Sequence, residues 1–182
     1  CDEVIPVPVN LIVVDELRSR NGEISICGDG TTGTFNLSLI ENYLTDGFTY
    51  NVEWYEDESL SSQIDDIRNY VSTNALIYAR FSAGPNCDAV SEVTLSVGEL
   101  KIRPTKLYAC SEIANEAVFN LIRSESYIMY GVEHSALWYQ DAKLADNILT
   151  PGRYKSPTKM VWIDVTLEND SGCSTNSPIE LE

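Results

Sequence analysis

The sequence predicts an all-β chain of tandem immunoglobulin-like β-sandwiches. Three observations carry that expectation: β-rich runs separated by turn signals, a long internal repeat that holds several such runs each time, and five cysteines spaced in step with the repeat.

The strands come first. In the first repeat they are "EISIC", "GTFNL", "TYNVEWY", "ALIYARF" and "AVSEVTLSV"; in the second they are "KLYAC", "AVFNL", "HSALWY", "KMVWIDV" and "SPIELE". Val, Ile, Thr, Tyr and Trp are enriched in them, the residues that fit a pleated, half-buried surface. Between them stand "GDGTTG", "TDG", "SAGPN", "TPG" and "ENDSG", clusters rich in the residues that turns require. Only "LSLIENYL" and "LIRSESYI" read as short helical turns.

The repeat is explicit. Cys1, Cys87 and Cys173 are each 86 residues apart, and "CDEVIPVPVNLIVVDEL" lies over "CDAVSEVTLSVGEL". The connectors "RSRNGEISIC" and "KIRPTKLYAC" both end on a cysteine, so Cys27 and Cys110 form a second class. "FNLSLIENYLTDG" aligns without a gap on "FNLIRSESYIMYG", and "WYEDESLSSQI" on "WYQDAKLADNI". Residues 1–16 therefore read as the last strand of a preceding repeat, 17–98 as one full repeat and 99–182 as another. Cys1, in phase with Cys87 and Cys173, reads as a residue whose partner lies upstream in a longer protein; the competing reading is the lipid-bearing first residue of a mature lipoprotein.

No CxxC pair marks a zinc or redox centre, and wide cysteine spacing points to disulfides and an oxidising compartment. The expected bridges are Cys27–Cys87 and Cys110–Cys173, one inside each repeat, with Cys1 unpaired. A loop of about 60 residues closed in this way adds roughly 4 kcal/mol on the chain-entropy model. It also shields that loop from tension and leaves only the step from Cys87 to Cys110 free to pull straight.

Phe35, Trp54, Phe119 and Trp138 are expected core aromatics, since a large ring on a central strand fills the space between two sheets. Strand alternation turns Tyr55 and Tyr139 to the other face, so these two and Tyr50 are the candidate exposed ligand contacts.

A net charge of −16 disfavours nucleic acid as a partner, and no apolar run approaches the roughly 18 residues that would cross a bilayer, so no membrane insertion is expected. His134 is the sole histidine; the first repeat has Tyr50 in its place, which argues against a duplicated triad. Acidic pairs at 56–58 and 65–66 are uninformative among 28 carboxylates. There is no P-loop, dinucleotide fingerprint or HExxH, so no catalytic residue is assigned.

The order of cysteine, turn, "TFNL" or "VFNL", "WY-x-D", and a closing cysteine followed by "VTLSV" resembles the tandem immunoglobulin-like repeats of large Bacteroidota cell-surface adhesins. These are the SprB-like proteins associated with gliding motility and exported by type IX secretion. The resemblance implies an extracellular, outer-membrane-associated filament or adhesin whose partners are neighbouring repeats of its own chain and surfaces or polysaccharides. No cofactor is expected apart from calcium. In that family the turn after the first cysteine is often rich in Asp and Asn. Here it keeps Asp29, a weak calcium candidate, in one repeat and Glu112 and Glu116 in the other. The alternatives are a carbohydrate-binding module using exposed aromatics, and a filament subunit assembled by strand exchange.

Overall fold

The computed structural model describes residues 17–84, 87–103, 105–110, 116–168 and 170–182. Cys1 and the strand expected over residues 1–16 lie outside them, as does Glu112.

Each repeat builds the same pair of sheets. In the first, β1 (Gly22–Cys27), β6 (Cys87–Gly98), β5 (Ala75–Gly84) and β3 (Asn51–Tyr55) form a four-stranded sheet in the order β1-β6-β5-β3. β2 (Gly33–Phe35) pairs with β4 (Tyr70–Ser72) in a second, two-stranded sheet. In the second repeat, β7 (Lys106–Leu107), β12 (Asp170–Leu181), β11 (Lys159–Leu167) and β9 (His134–Tyr139) repeat the larger sheet. β10 (Tyr154–Ser156) and β8 (Ala117–Phe119) repeat the smaller one. The chain is thus all-β, in immunoglobulin-like tandem sandwiches.

Alternation drives the sheets. Ile77, Ala79 and Phe81 of β5 and Ser91, Val93, Leu95 and Val97 of β6 point to one core; Val161, Ile163 and Val165 of β11 and Ile179 and Leu181 of β12 point to the other. Trp54 and Phe35 sit in the first core, Trp138 and Phe119 in the second, all at most 3 % exposed. A buried indole N–H needs a partner, and both find one at the same place: Trp54 Nε1 donates to Glu41 at 3.0 Å, Trp138 Nε1 to Glu125 at 2.8 Å.

Those glutamates are held by the two helical segments. Asn36 caps a 3₁₀ turn, Leu37–Leu39, that leads into α1 (Glu41–Leu44); Asn120 caps α2 (Leu121–Ile128), a longer helix at the same position. No helix among the described residues is long and apolar enough to cross a membrane.

The direction of one strand pair corrects the expected disulfides. β1 runs parallel to β6, with Cys27 opposite Gly98, whereas Cys87 opens β6 at its other end. Eleven residue steps of strand, about 36 Å, separate the two sites, far beyond the roughly 4.4–6.8 Å that a disulfide spans between Cα atoms. The second repeat has the same geometry: β7 runs parallel to β12 with Leu107 opposite Leu181, while Cys173 lies near the start of β12. An internal bridge is therefore impossible in either repeat. Cys27 bonds Cys173 instead, with Cα atoms 5.6 Å apart and a sequence separation of 146. Cys87 and Cys110 are free thiols.

Candidate functional site

The Cys27–Cys173 bridge joins the two repeats, and the residues around it form a packed joint. Cys27 is the last residue of β1, and Cys173 lies fully buried on β12 in the second core. Beside the bridge, Val132 packs against both cores. Gly131 approaches so closely that a Cβ at that position would lie 2.8 Å from Ile24 Cγ1.

Aromatic stacking adds to the joint. Tyr43 of α1 stacks on Tyr130 with ring centroids 3.8 Å apart and planes 10° from parallel. The Arg103 guanidinium lies 4.9 Å from the Tyr43 ring centroid and 5.1 Å from that of Tyr130, and it donates to the Tyr43 hydroxyl. Burial first, and then the Tyr43 hydroxyl beside it, pushes the Tyr130 phenol up to about 12.

The connector, residues 99–105, is stitched to both repeats. Lys101 N donates to Ser25 Oγ at 2.8 Å and its ammonium pairs with Glu23 at 2.5 Å, both on β1. Arg103 N then donates to the Ile128 carbonyl at the end of α2. Leu100 is buried in the second core. A cavity of about 410 Å³ opens along the joint, lined by Ile26, Cys27, Phe35, Arg68, Val132 and Asp170 among others.

The candidate ligand aromatics are not gathered into a platform. Tyr55 is 8 % exposed, a correction to its expected place on the open face. The loop after β3 folds back over it: Ile64 N donates to the Trp54 carbonyl, and Tyr55 bridges Gln63. Tyr139 and Tyr50 are half-buried, and Tyr50 packs beside Phe48 and Phe81.

The "WY-x-D" motif explains itself as a loop clamp. Asp57 accepts from Ser61 N and Ser62 N and from the hydroxyls of Ser59 and Ser61. Those bonds, led by the one from Ser59, hold its carboxyl down at about 2. Asp141 does the same work through the backbone N–H groups of Lys143, Ala145 and Asp146, and its pKa is lowered chiefly by the last. The clamp tolerates a left-handed leucine three residues on, Leu60 (φ 55°) and Leu144 (φ 54°).

Asp29 is committed to its own turn. It accepts from Thr31 N at 2.9 Å and from the Thr31 hydroxyl, and these bonds lower its pKa. Glu116 pairs with Lys155. Among the described residues, no three His, Cys, Asp or Glu side chains converge as a metal cage. His134 stands on β9 with Nδ1 donating to the Val132 carbonyl at 3.1 Å.

Sequence patterning misses the joint itself: Ile24, Tyr43, Arg103, Tyr130 and Gly131. The usable signal is the shared connector pattern, "ELRSR" and "ELKIR", whose basic residues have no role inside either core.

Residues 23–101 match the family described as the Flavobacterium inter-domain disulphide bond domain. That stretch runs from β1 into the connector, and the chain is similar to the family over it. No curated protein sequence matches the chain.

Solved structures resemble it loosely. One is Drosophila N-cadherin EC1-4, at 10 % identity and a TM-score of 0.34, over 88 % of this chain and 47 % of that one, about half its length. Another is the tandem Ig repeats of Dlar, at 8 % identity and a TM-score of 0.27, over 90 % and 93 % of the two chains. The Ig1-2 module of the Drosophila receptor protein tyrosine phosphatase DLAR stands at 10 % and 0.26, over 90 % and 94 %.

Proposed function

We propose that the chain is a structural module of a long extracellular filament or adhesin on the bacterial cell surface, carrying tension while it fixes neighbouring sandwiches in register. The observation that supports this most is the bond between Cys27 and Cys173, which crosses from one repeat to the next. Tension applied at the two ends of the chain passes from Cys27 to Cys173 through one covalent bond, so the stretch between the two cysteines, which holds most of both cores, is bypassed.

The acidic surface and the disulfide fit an oxidising, extracellular setting. The similarity to a Flavobacterium inter-domain disulphide bond domain fits a repeat module of a Bacteroidota surface protein, of the type IX-secreted kind that serves adhesion or gliding. On this reading the module works through spacing and stiffness, touches surfaces or polysaccharides only where a fibre ends, and needs no cofactor or catalytic residue.

Single-molecule pulling on the chain tests it. With the bridge intact, the stretch between the cysteines, a sequence separation of 146, stays bypassed; with reductant present, about 500 Å of extra contour length is released. Equal unfolding lengths in the two conditions would end the proposal.

A further inference from the structure

The cavity along the joint has charges of opposite sign on its two walls. Arg68 lines it from the first repeat, Glu133 and Asp170 from the second. Among the described residues, neither the Arg68 guanidinium nor the Glu133 carboxylate joins an ion pair. Arg68 is held through its backbone, whose N–H donates to Asp66 at 3.3 Å. Asp170 commits Oδ1 to the Gly172 N–H at 3.0 Å, and a carboxylate has further acceptor sites.

These charges stand only where each repeat faces the joint. The position of Arg68 is held by Gly152 in the second repeat, and that of Glu133 by Thr49 in the first. Asp170 sits in a lengthened turn: Leu167 to Cys173 is six steps, against four from Ala83 to Cys87. A charge that the sandwich itself needs recurs in both copies, as Asp57 and Asp141 do.

Between the charged walls the cavity is apolar. Phe35 and Leu39 come from the first repeat, Val132 and Leu167 from the second. Its volume of about 410 Å³ lies within the range of small-molecule sites, which gather between packed units. The walls are in place before any ligand arrives. Cys27 lines the cavity and is bonded to Cys173, and Val132 packs against both cores, so binding orders little that was loose.

We infer that the cavity binds a short zwitterion with an apolar body, a free amino acid or a dipeptide. Its carboxylate meets Arg68, whose planar fork suits two oxygens. Its ammonium meets Glu133 and Asp170, and its side chain lies against Phe35, Leu39, Val132 and Leu167. A net charge of −16 repels a bare anion, so Arg68 takes a carboxylate that arrives with an ammonium attached. Because the ligand touches both repeats, occupancy stabilises the joint. The inference goes beyond the tension-carrying role and does not depend on it.

Calorimetric titration of the full chain with L-leucine and with leucyl-leucine tests it. Each is compared with the same molecule acetylated at its amine or amidated at its carboxyl. The expected result is saturation at a single site by at least one zwitterion, with a dissociation constant of about 1 mM or below. Removing either charge from that ligand weakens binding roughly tenfold or more. Arg68→Gln removes the penalty for amidation, and Glu133→Gln with Asp170→Asn removes that for acetylation. All three side chains are exposed, so these variants leave both cores intact. Tighter binding of leucine assigns the site to free amino acids, and tighter binding of leucyl-leucine assigns it to dipeptides. No saturation by either zwitterion at about 10 mM, equal affinity for the charge-deleted forms, or penalties that survive the substitutions would each overturn the inference. Titration reads the cavity and pulling reads the bridge, so failure of either leaves the other standing.

Discussion

Gly131 of the second repeat lies against Ile24 of the first with no room for a side chain: a Cβ there would stand 2.8 Å from Ile24 Cγ1 and 3.2 Å from its Cδ1. Gly47, its counterpart, has nothing closer than 4.0 Å. Both residues share the same left-handed backbone, so alanine at either carries the same conformational cost, about 1 kcal/mol. Only at Gly131 does overpacking add roughly 1–3 kcal/mol. Denaturant unfolding of Gly131→Ala and Gly47→Ala, with the bridge intact, is expected to show the first as the more damaging. Equal losses would mean that the joint is not packed as tightly as this contact requires.

The bridge itself sets a second expectation. Closing a loop of 146 residues stabilises the folded chain by about 5 kcal/mol on the chain-entropy model, near the upper end of what disulfides deliver. Cys27→Ser, Cys173→Ser or reductant should lower the melting temperature by similar amounts and separate one unfolding transition into two, because each repeat keeps its own core. Cys87→Ser and Cys110→Ser should leave the melting of the isolated chain unchanged, since neither sulfur is bonded. Calorimetry on the four variants distinguishes the bonded pair from the free one.

How much of this was legible in the sequence depends on whether a feature belongs to one repeat or lies between two. Trp54 and Trp138, or Phe35 and Phe119, serve the same core twice, so the repeat register shows them directly. Cysteine pairing is different. Cys27 ends the first strand and Cys87 begins the last, and whether those ends meet depends on whether the strands run parallel or antiparallel. Hydrophobic alternation is the same in both cases. The joint is harder still: Tyr130 has Asp46 as its counterpart and Val132 has Phe48, so the repeats diverge at the positions that touch. Asp57 and Asp141 are conspicuous as a motif, but their hydrogen bonds to loop N–H groups exist only once the chain has turned back over β3.

Alkaline pH should loosen the joint. Burial against Tyr43 raises the Tyr130 phenol to about 12, above the ordinary value of 10.0 that it regains on unfolding. A raised phenol favours its neutral form in the folded protein, so the contribution is complete below pH 10 and is lost as the pH climbs from there towards 12. Melting followed across that window should fall more steeply for the native protein than for Tyr130→Phe, which keeps the stacked ring and cannot ionise. Parallel curves would show that Tyr130 ionises no differently in the folded and unfolded states.

Acid acts on the loop after β3 with the opposite sign. Asp57 is held at about 2, below its ordinary 3.8, by the Ser59 hydroxyl and then the Ser62 N–H, both donating to the ionised form. A lowered carboxyl favours the folded state above pH 4, and that preference disappears as the pH falls towards 2. Asp57→Asn retains an acceptor for the N–H groups of Ser61 and Ser62 but does not titrate. Its melting temperature should begin below that of the native protein at pH 6 and converge on it near pH 2. Amide exchange at Ser61 and Ser62, corrected for the pH dependence of the intrinsic rate, locates the effect: protection of the native protein should fall over this window and that of the variant should stay flat. A pH-independent gap between the two proteins would place the role of Asp57 in loop shape alone, not in its charge.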